Sequence, residues 1–272
     1  MGANALKVKD YRLWTLRRSP VQQASGVGRE GEMGGLVRVF LARYFYFAMA
    51  LLLAAIVWYG FSHTIEENLF HPSFARPGVL YVHAAMFGGW MVLFVIQTGL
   101  VALARKRTWH RWLGWLGIAM AGVMPVLGTW SALSMTHLRY GFGDTDDVAF
   151  LVLAFNDMAA FAALMAAAIL LRNRQPEAHK RLVLMAACVI SVAALTRFPP
   201  WLPNFGSDGW PYYLYADILI ALGAWRDLVV LRHAHWVYTR VFPAIVAAQA
   251  IGNWLYLTRP EPYMALMLKL VG

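Results

Sequence analysis

Long apolar runs fill most of the chain, and short charged stretches separate them. A helix crossing the hydrocarbon core needs about 17–25 such residues. Runs of that kind occupy 40–61, 78–104, 112–135, 148–171, 181–198, 211–231 and 236–257. The pattern predicts an all-α integral membrane protein: seven transmembrane helices and no soluble domain. Residues 1–37 read as a basic cytoplasmic tail, either disordered or lying on the membrane surface, where KVKDYRLWTLRR (7–18) would form a short amphipathic piece. The seven-helix domain then covers 38–258, and 259–272 read as a short outer tail. The first run lies too far from the N-terminus for an ordinary signal peptide and lacks a small-residue cleavage site, so it reads as an anchor. Met33 offers an alternative start to the chain.

Charge orders these helices. Of the 24 Lys and Arg, only Arg76, Arg139, Arg197, Arg259 and Lys269 fall on the side opposite the N-terminus. The positive-inside bias therefore predicts a cytoplasmic N-terminus and an outer C-terminus. Glu66, Glu67, Asp144, Asp146 and Asp147 gather in the outer loops. Only 14% of the residues are charged, against about a quarter in soluble domains, so lipid is the expected surrounding medium. The isoelectric point of 9.9 invites a nucleic-acid reading. The basic residues, however, sit in short juxtamembrane loops, where they orient helices and meet anionic headgroups, so no nucleic-acid partner is expected. The single cysteine, Cys188, excludes an intrachain disulfide and a thiolate metal cluster. Abundant Ala, Leu, Trp and Arg suggest a bacterial inner membrane.

Candidate chemistry falls into two groups. On the cytoplasmic side His110 and His179 each head a helix, and each is followed by Arg or Lys. Neutral imidazoles are good axial ligands for haem iron; alternatively, each touches headgroups or caps a turn. Steps of three or four residues from His110 give Gly114, Gly117, Ala121, Pro125 and Gly128, a small-residue stripe that admits a helix backbone or a flat macrocycle. On the outer side His83, Asp217 and Asp157 lie roughly 8 to 14 Å inside their helices at 1.5 Å per residue. Asn156 adjoins Asp157, and Arg197 leaves helix five on the same side. Carboxylates inside a membrane must be paired or face water, so Arg197 is expected to pair with Asp157 or Asp217. This group reads either as an outward-opening site for a metal, a quinone-like molecule or a proton, or as an ion pair locking helices together.

Other chemistries find less support. The last run contains no lysine for a retinal Schiff base, and no span carries a His-x-x-x-His pair for a zinc amidohydrolase. Ser62 and Ser131 lack a base and acid partner for serine hydrolysis.

His83-Ala-Ala-Met86 heading a helix, a basic turn, and His110-Arg-x-x-Gly114 heading the next helix resemble the cytochrome b561 family of transmembrane haem proteins. His179, after a Pro-containing basic turn, looks like that family's partner for His110. The likeness covers about 78–198, and the chain is equally similar to bacterial membrane proteins of unassigned role built on this helix arrangement. The resemblance implies a core of helices 2–5 and haem b held by His110 and His179. It also implies His83 as one ligand of an outer haem, and electron transfer with a membrane or periplasmic electron partner. Helix four, which in the family supplies the outer haem's second histidine, has Asn156 and Asp157 at that depth. Two functions are therefore carried forward. One is a b-type haem electron-transfer protein or membrane oxidoreductase. The other is a non-redox membrane protein: a small-molecule or metal binder through the outer pocket, or an accessory subunit of a membrane complex.

Overall fold

A computed structural model describes residues 29–198 and 212–272. The expected surface piece at 7–18 and the loop Trp201–Trp210 lie outside the described residues. The chain divides into two units, Met1–Val37 and Arg38–Gly272. In the first, 29–37 are helical.

The described residues form eight α-helices and two π-helical turns, with no strand among them. The helices are α1 (Arg29–Ser62), α2 (Gly78–Ala102), α3 (Arg107–Gly141), α4 (Asp146–Leu171), α5 (Pro176–Leu195), α6 (Leu214–Leu231), α7 (Phe242–Thr258) and α8 (Glu261–Val271). The π-helical turns are Glu66–Phe70 and Val237–Val241, the second leading directly into α7. Gly34–Ser62, α2, α3, α4, α5 and Val237–Thr258 are each long and apolar enough to cross a membrane. The predicted sixth span corresponds to α6. It has 18 residues but carries Asp217, Arg226 and Asp227, which sets it apart from the other six.

Short connections make α2, α3, α4 and α5 successive antiparallel neighbours, each packed on the next. The turns at 103–106, 172–175 and 232–236 share one end of the bundle, called here the basic end. The second unit is centred on α5, the most enclosed helix, with Leu182, Met185, Cys188, Val189 and Val192 in the main core. Several boundaries differ from expectation, among them those of α3, which runs Arg107–Gly141 where 112–135 was expected. α5 begins five residues before 181, because Pro176 stands at its first turn, where a missing N–H costs nothing. α1 reaches back to Arg29. The stretch 259–272 carries α8, whose Tyr263, Met267 and Val271 pack with Val148 and Leu151 in a second core. Tyr263 Oη donates to the Ala149 carbonyl (2.6 Å) and Arg259 pairs with Asp146 (2.7 Å).

The exterior is apolar. Leu170, Val126 and Trp130 are 78%, 69% and 61% exposed, a surface suited to lipid rather than water. Trp58, Trp109 and Trp112 are well exposed, as suits residues of a membrane–water interface.

Candidate functional site

At the basic end, His110 lies in the first turn of α3 and His179 in the first turn of α5. Both residues are half-buried. His179 Nδ1 lies 3.0 Å from the Ala168 carbonyl. A carbonyl only accepts, so Nδ1 carries the proton and Nε2 keeps its lone pair. His110 Nδ1 is buried without a hydrogen-bond partner. Beside them the Arg172 guanidinium sits 5.3 Å from the Trp115 ring centre, tying the end of α4 to α3.

Along the stripe below His110, a Cβ at Gly128 would run into Met158 of α4, so a residue without a side chain lets the two helices meet there. A Cβ at Gly117 would lie 3.6 Å from Leu93 of α2 and one at Gly114 3.9 Å from the Gln97 amide, ordinary contact distances.

The same end holds a buried charged cluster. Arg181 is fully buried and clamps the fully buried Asp227 through Nε–Oδ2 (2.7 Å) and Nη2–Oδ1 (2.8 Å). Its Nη1 also donates to the Glu177 carbonyl (2.6 Å) and carboxylate (2.8 Å). Arg226 donates to Asp227 Oδ1 (2.9 Å) and, from Nε and Nη2, to the carbonyls of Leu41 and Ala42 in α1. Arg181 and Arg226 thus differ from the loop-borne basic residues expected at this end, and Asp227 is what holds them inside. An acidic residue beside an arginine in an apolar helix was the available signal, since such a group survives in a membrane only when paired.

At the opposite end the predicted residues are present, with different partners. Arg197 does not pair with Asp157 or Asp217. Its Nη1 donates to the Ala193 carbonyl, and its guanidinium lies 4.6 Å from the Phe61 ring centre. Leaving α5 at its frayed end, it turns back on its own helix and toward an aromatic face instead of reaching inward. His83 stacks on Phe87 (4.1 Å, 23°), with its buried Nδ1 unpartnered. Asp157 takes a hydrogen bond on Oδ2 from Tyr212 Oη (3.3 Å). Asn156 Nδ2 donates to Tyr213 Oη (3.0 Å), which donates to the Leu153 carbonyl (3.5 Å). Asp217 Oδ1 accepts from Gln249 Nε2 of α7 (3.1 Å). Asn156, Asp157 and Asp217 thus belong to one polar seam between α4, α6 and α7, which also holds Gln249; Asn253, one turn further along α7, is buried as well. An open cleft at this end, lined by Phe74, Arg76, Arg139, Phe142 and Asp144, includes none of these residues. Among the described residues, no group of three or more His, Cys, Asp and Glu could hold a metal ion.

No protein-family model, no curated protein and no solved structure matches the chain significantly.

Proposed function

We propose that this chain is a seven-span protein of a bacterial inner membrane, N-terminus in the cytoplasm and C-terminus outside, whose basic end holds one b-type haem between His110 and His179. The arrangement of α2–α5 would then be b561-like. The reading of α6 as the seventh span is supported by the burial of its Arg226 and Asp227 in mutual ion pairs, which spares lipid their charge.

The observation that carries the haem reading is the state of the two imidazoles. They share one end of the bundle, neither is bonded to an acid, and the Ala168 carbonyl fixes His179 in the tautomer with Nε2 free. That donor set fits a low-spin haem iron. When bound, the haem would take up and release single electrons. Ala168 would orient one ligand ring, a support whose loss typically weakens a metal site. Lys106, Arg107 and Arg111 would offer charge to the propionates at the membrane surface. One haem is included in this reading, because Asn156 and Asp157 stand where a partner for His83 would be needed.

An absorbance spectrum of the purified protein tests it. Sharp reduced-minus-oxidised Soret and alpha bands, lost in His110→Ala and in His179→Ala while both variants remain folded, are the expected result. A folded, colourless protein after expression with ample haem overturns it. The second reading, a non-redox binder of a small ligand, is favoured by the polar seam, whose acceptors are in part unmet.

A further inference from the structure

We propose that the open cleft opposite the basic end holds a phospholipid headgroup bearing both a phosphate and a primary ammonium, as phosphatidylethanolamine does. Arg76 takes the phosphate and Asp144 the ammonium. Neither residue belongs to the basic end or to the polar seam, so the inference is independent of haem.

The cleft lies where three helices end. Arg76 stands just before α2, Arg139 in the last turn of α3 and Asp144 just before α4. With Phe74 and Phe142 they line a space of about 400 Å³, within the ~300–1,000 Å³ of small-molecule sites. Arg139 is answered by Asp147 (2.7 Å). Arg76 has no carboxylate partner. Its Nη2 donates to the Asn68 side-chain oxygen (3.0 Å), its guanidinium lies 4.1 Å from the Phe74 ring centre, and Nε and Nη1 have no acceptor. Asp144 Oδ1 accepts the N–H groups of Asp146 (3.0 Å) and Asp147 (3.2 Å) at the start of α4, which leaves Oδ2 free. Among the described residues, therefore, a cation and a carboxylate line one cleft, and neither is ion-paired, with the other or elsewhere.

Charge selects the ligand class. A simple anion would answer Arg76 and be repelled by Asp144; a simple cation would meet the reverse. A molecule bearing both signs satisfies both residues through charge-assisted hydrogen bonds, which are the strong ones. Phe74 and Phe142, with ring centres 5.3 Å apart, give the carbon atoms between those charges an apolar wall. Position selects the source. α2, α3 and α4 are each long and apolar enough to cross a membrane, so their ends lie at headgroup level, where the bilayer itself presents such groups. A carboxylate only accepts hydrogen bonds. The trimethylated nitrogen of phosphatidylcholine has none to give, and phosphatidylglycerol carries no cation.

The test is lipid retention. The full chain in detergent is equilibrated with equal amounts of dioleoyl phosphatidylethanolamine, phosphatidylcholine and phosphatidylglycerol, and bound lipid is counted by native mass spectrometry. Wild type should retain phosphatidylethanolamine over each of the others by about tenfold. Arg76→Gln should lose that lipid. Asp144→Asn keeps an Oδ1 acceptor for the start of α4, and should retain ethanolamine and choline lipids equally. It decides the matter if Arg76→Gln does not fold. Arg259→Gln removes a cation from the same end, beside Asp146, and should leave the preference intact. Equal retention of the three lipids by wild type overturns the proposal, and so does a preference for phosphatidylglycerol, the mark of a merely basic surface. An ethanolamine preference that persists in Asp144→Asn overturns it too. Soluble phosphoethanolamine is added in a separate arm with choline lipid alone; its binding, without any preference among the lipids, overturns the headgroup as source.

Discussion

Asp227 is the residue with most at stake. It is the shared acceptor of two buried guanidinium groups, and removing one member of a buried ion pair leaves uncompensated charge. Asp227→Asn should therefore lower stability by about 3–5 kcal/mol, read as a large fall in the thermal midpoint in detergent; an unchanged midpoint would contradict the network. Near that cluster, His235 lies in the turn before α7, outside the spans. Its Nδ1 accepts the Val237 N–H at 3.3 Å, a bond that only the unprotonated nitrogen can make. Burial, and then the charge of Arg181, hold its pKa below the usual value of 6.5. The unfolded chain thus takes up this proton at a higher pH than the folded one. The stabilisation is complete above the ordinary histidine range and declines as pH falls below it. His235→Gln should flatten the acid limb of the midpoint-against-pH curve relative to wild type. An identical limb would show that the ring makes no contribution. Neither residue's role was legible beforehand: counting charges by side treats any arginine at a helix end as solvated, and His235 reads as one more polar residue in a basic loop.

Among the elements, α1 and α5 come close at one point. A Cβ at Gly60 would run into the backbone carbonyl of Ala194, which cannot move aside as a side chain could. Gly60→Ala should cost about 1–3 kcal/mol through overpacking, detected as a lower midpoint and faster proteolysis; neutrality would mean that the helices do not meet there. α8 gives a milder case. Tyr263→Phe removes the bond to Ala149 and should cost about 0.5–1.5 kcal/mol, measured in the same assay. The main helices were legible because a bilayer demands long apolar runs. Their ends were less so: Pro176 can begin a helix as easily as interrupt a loop, and α8 is short and amphipathic, with too little hydrophobicity to stand out. The polar seam was half legible. Asn156, Asp157 and Asp217 announced themselves by polarity in apolar surroundings, and so did Gln249 and Asn253. Which of them would meet depended on how α7 docks on α4, a tertiary fact that spacing along the chain does not carry. The pairing expected of Arg197 failed for the same reason.

For the whole molecule, the apolar exterior and the distribution of charge make topology the most direct property to measure. Cys188 is the sole cysteine and is fully buried, so wild type in intact cells should resist a membrane-impermeant maleimide. Asp144→Cys should then be labelled from outside, and His233→Cys only after the membrane is opened; the reverse pattern would invert the proposed orientation. The clamp between Arg181 and Asp227 also constrains how the protein is made. The two residues lie 46 positions apart, on consecutive helices, so the clamp can close only after α6 has been made. Until then Glu177, one turn earlier on α5, is the counter-ion that Arg181 carries with it, and Arg226 serves Asp227 in the same way. Each helix leaves the ribosome with its charge already answered, and the clamp is the step that joins them.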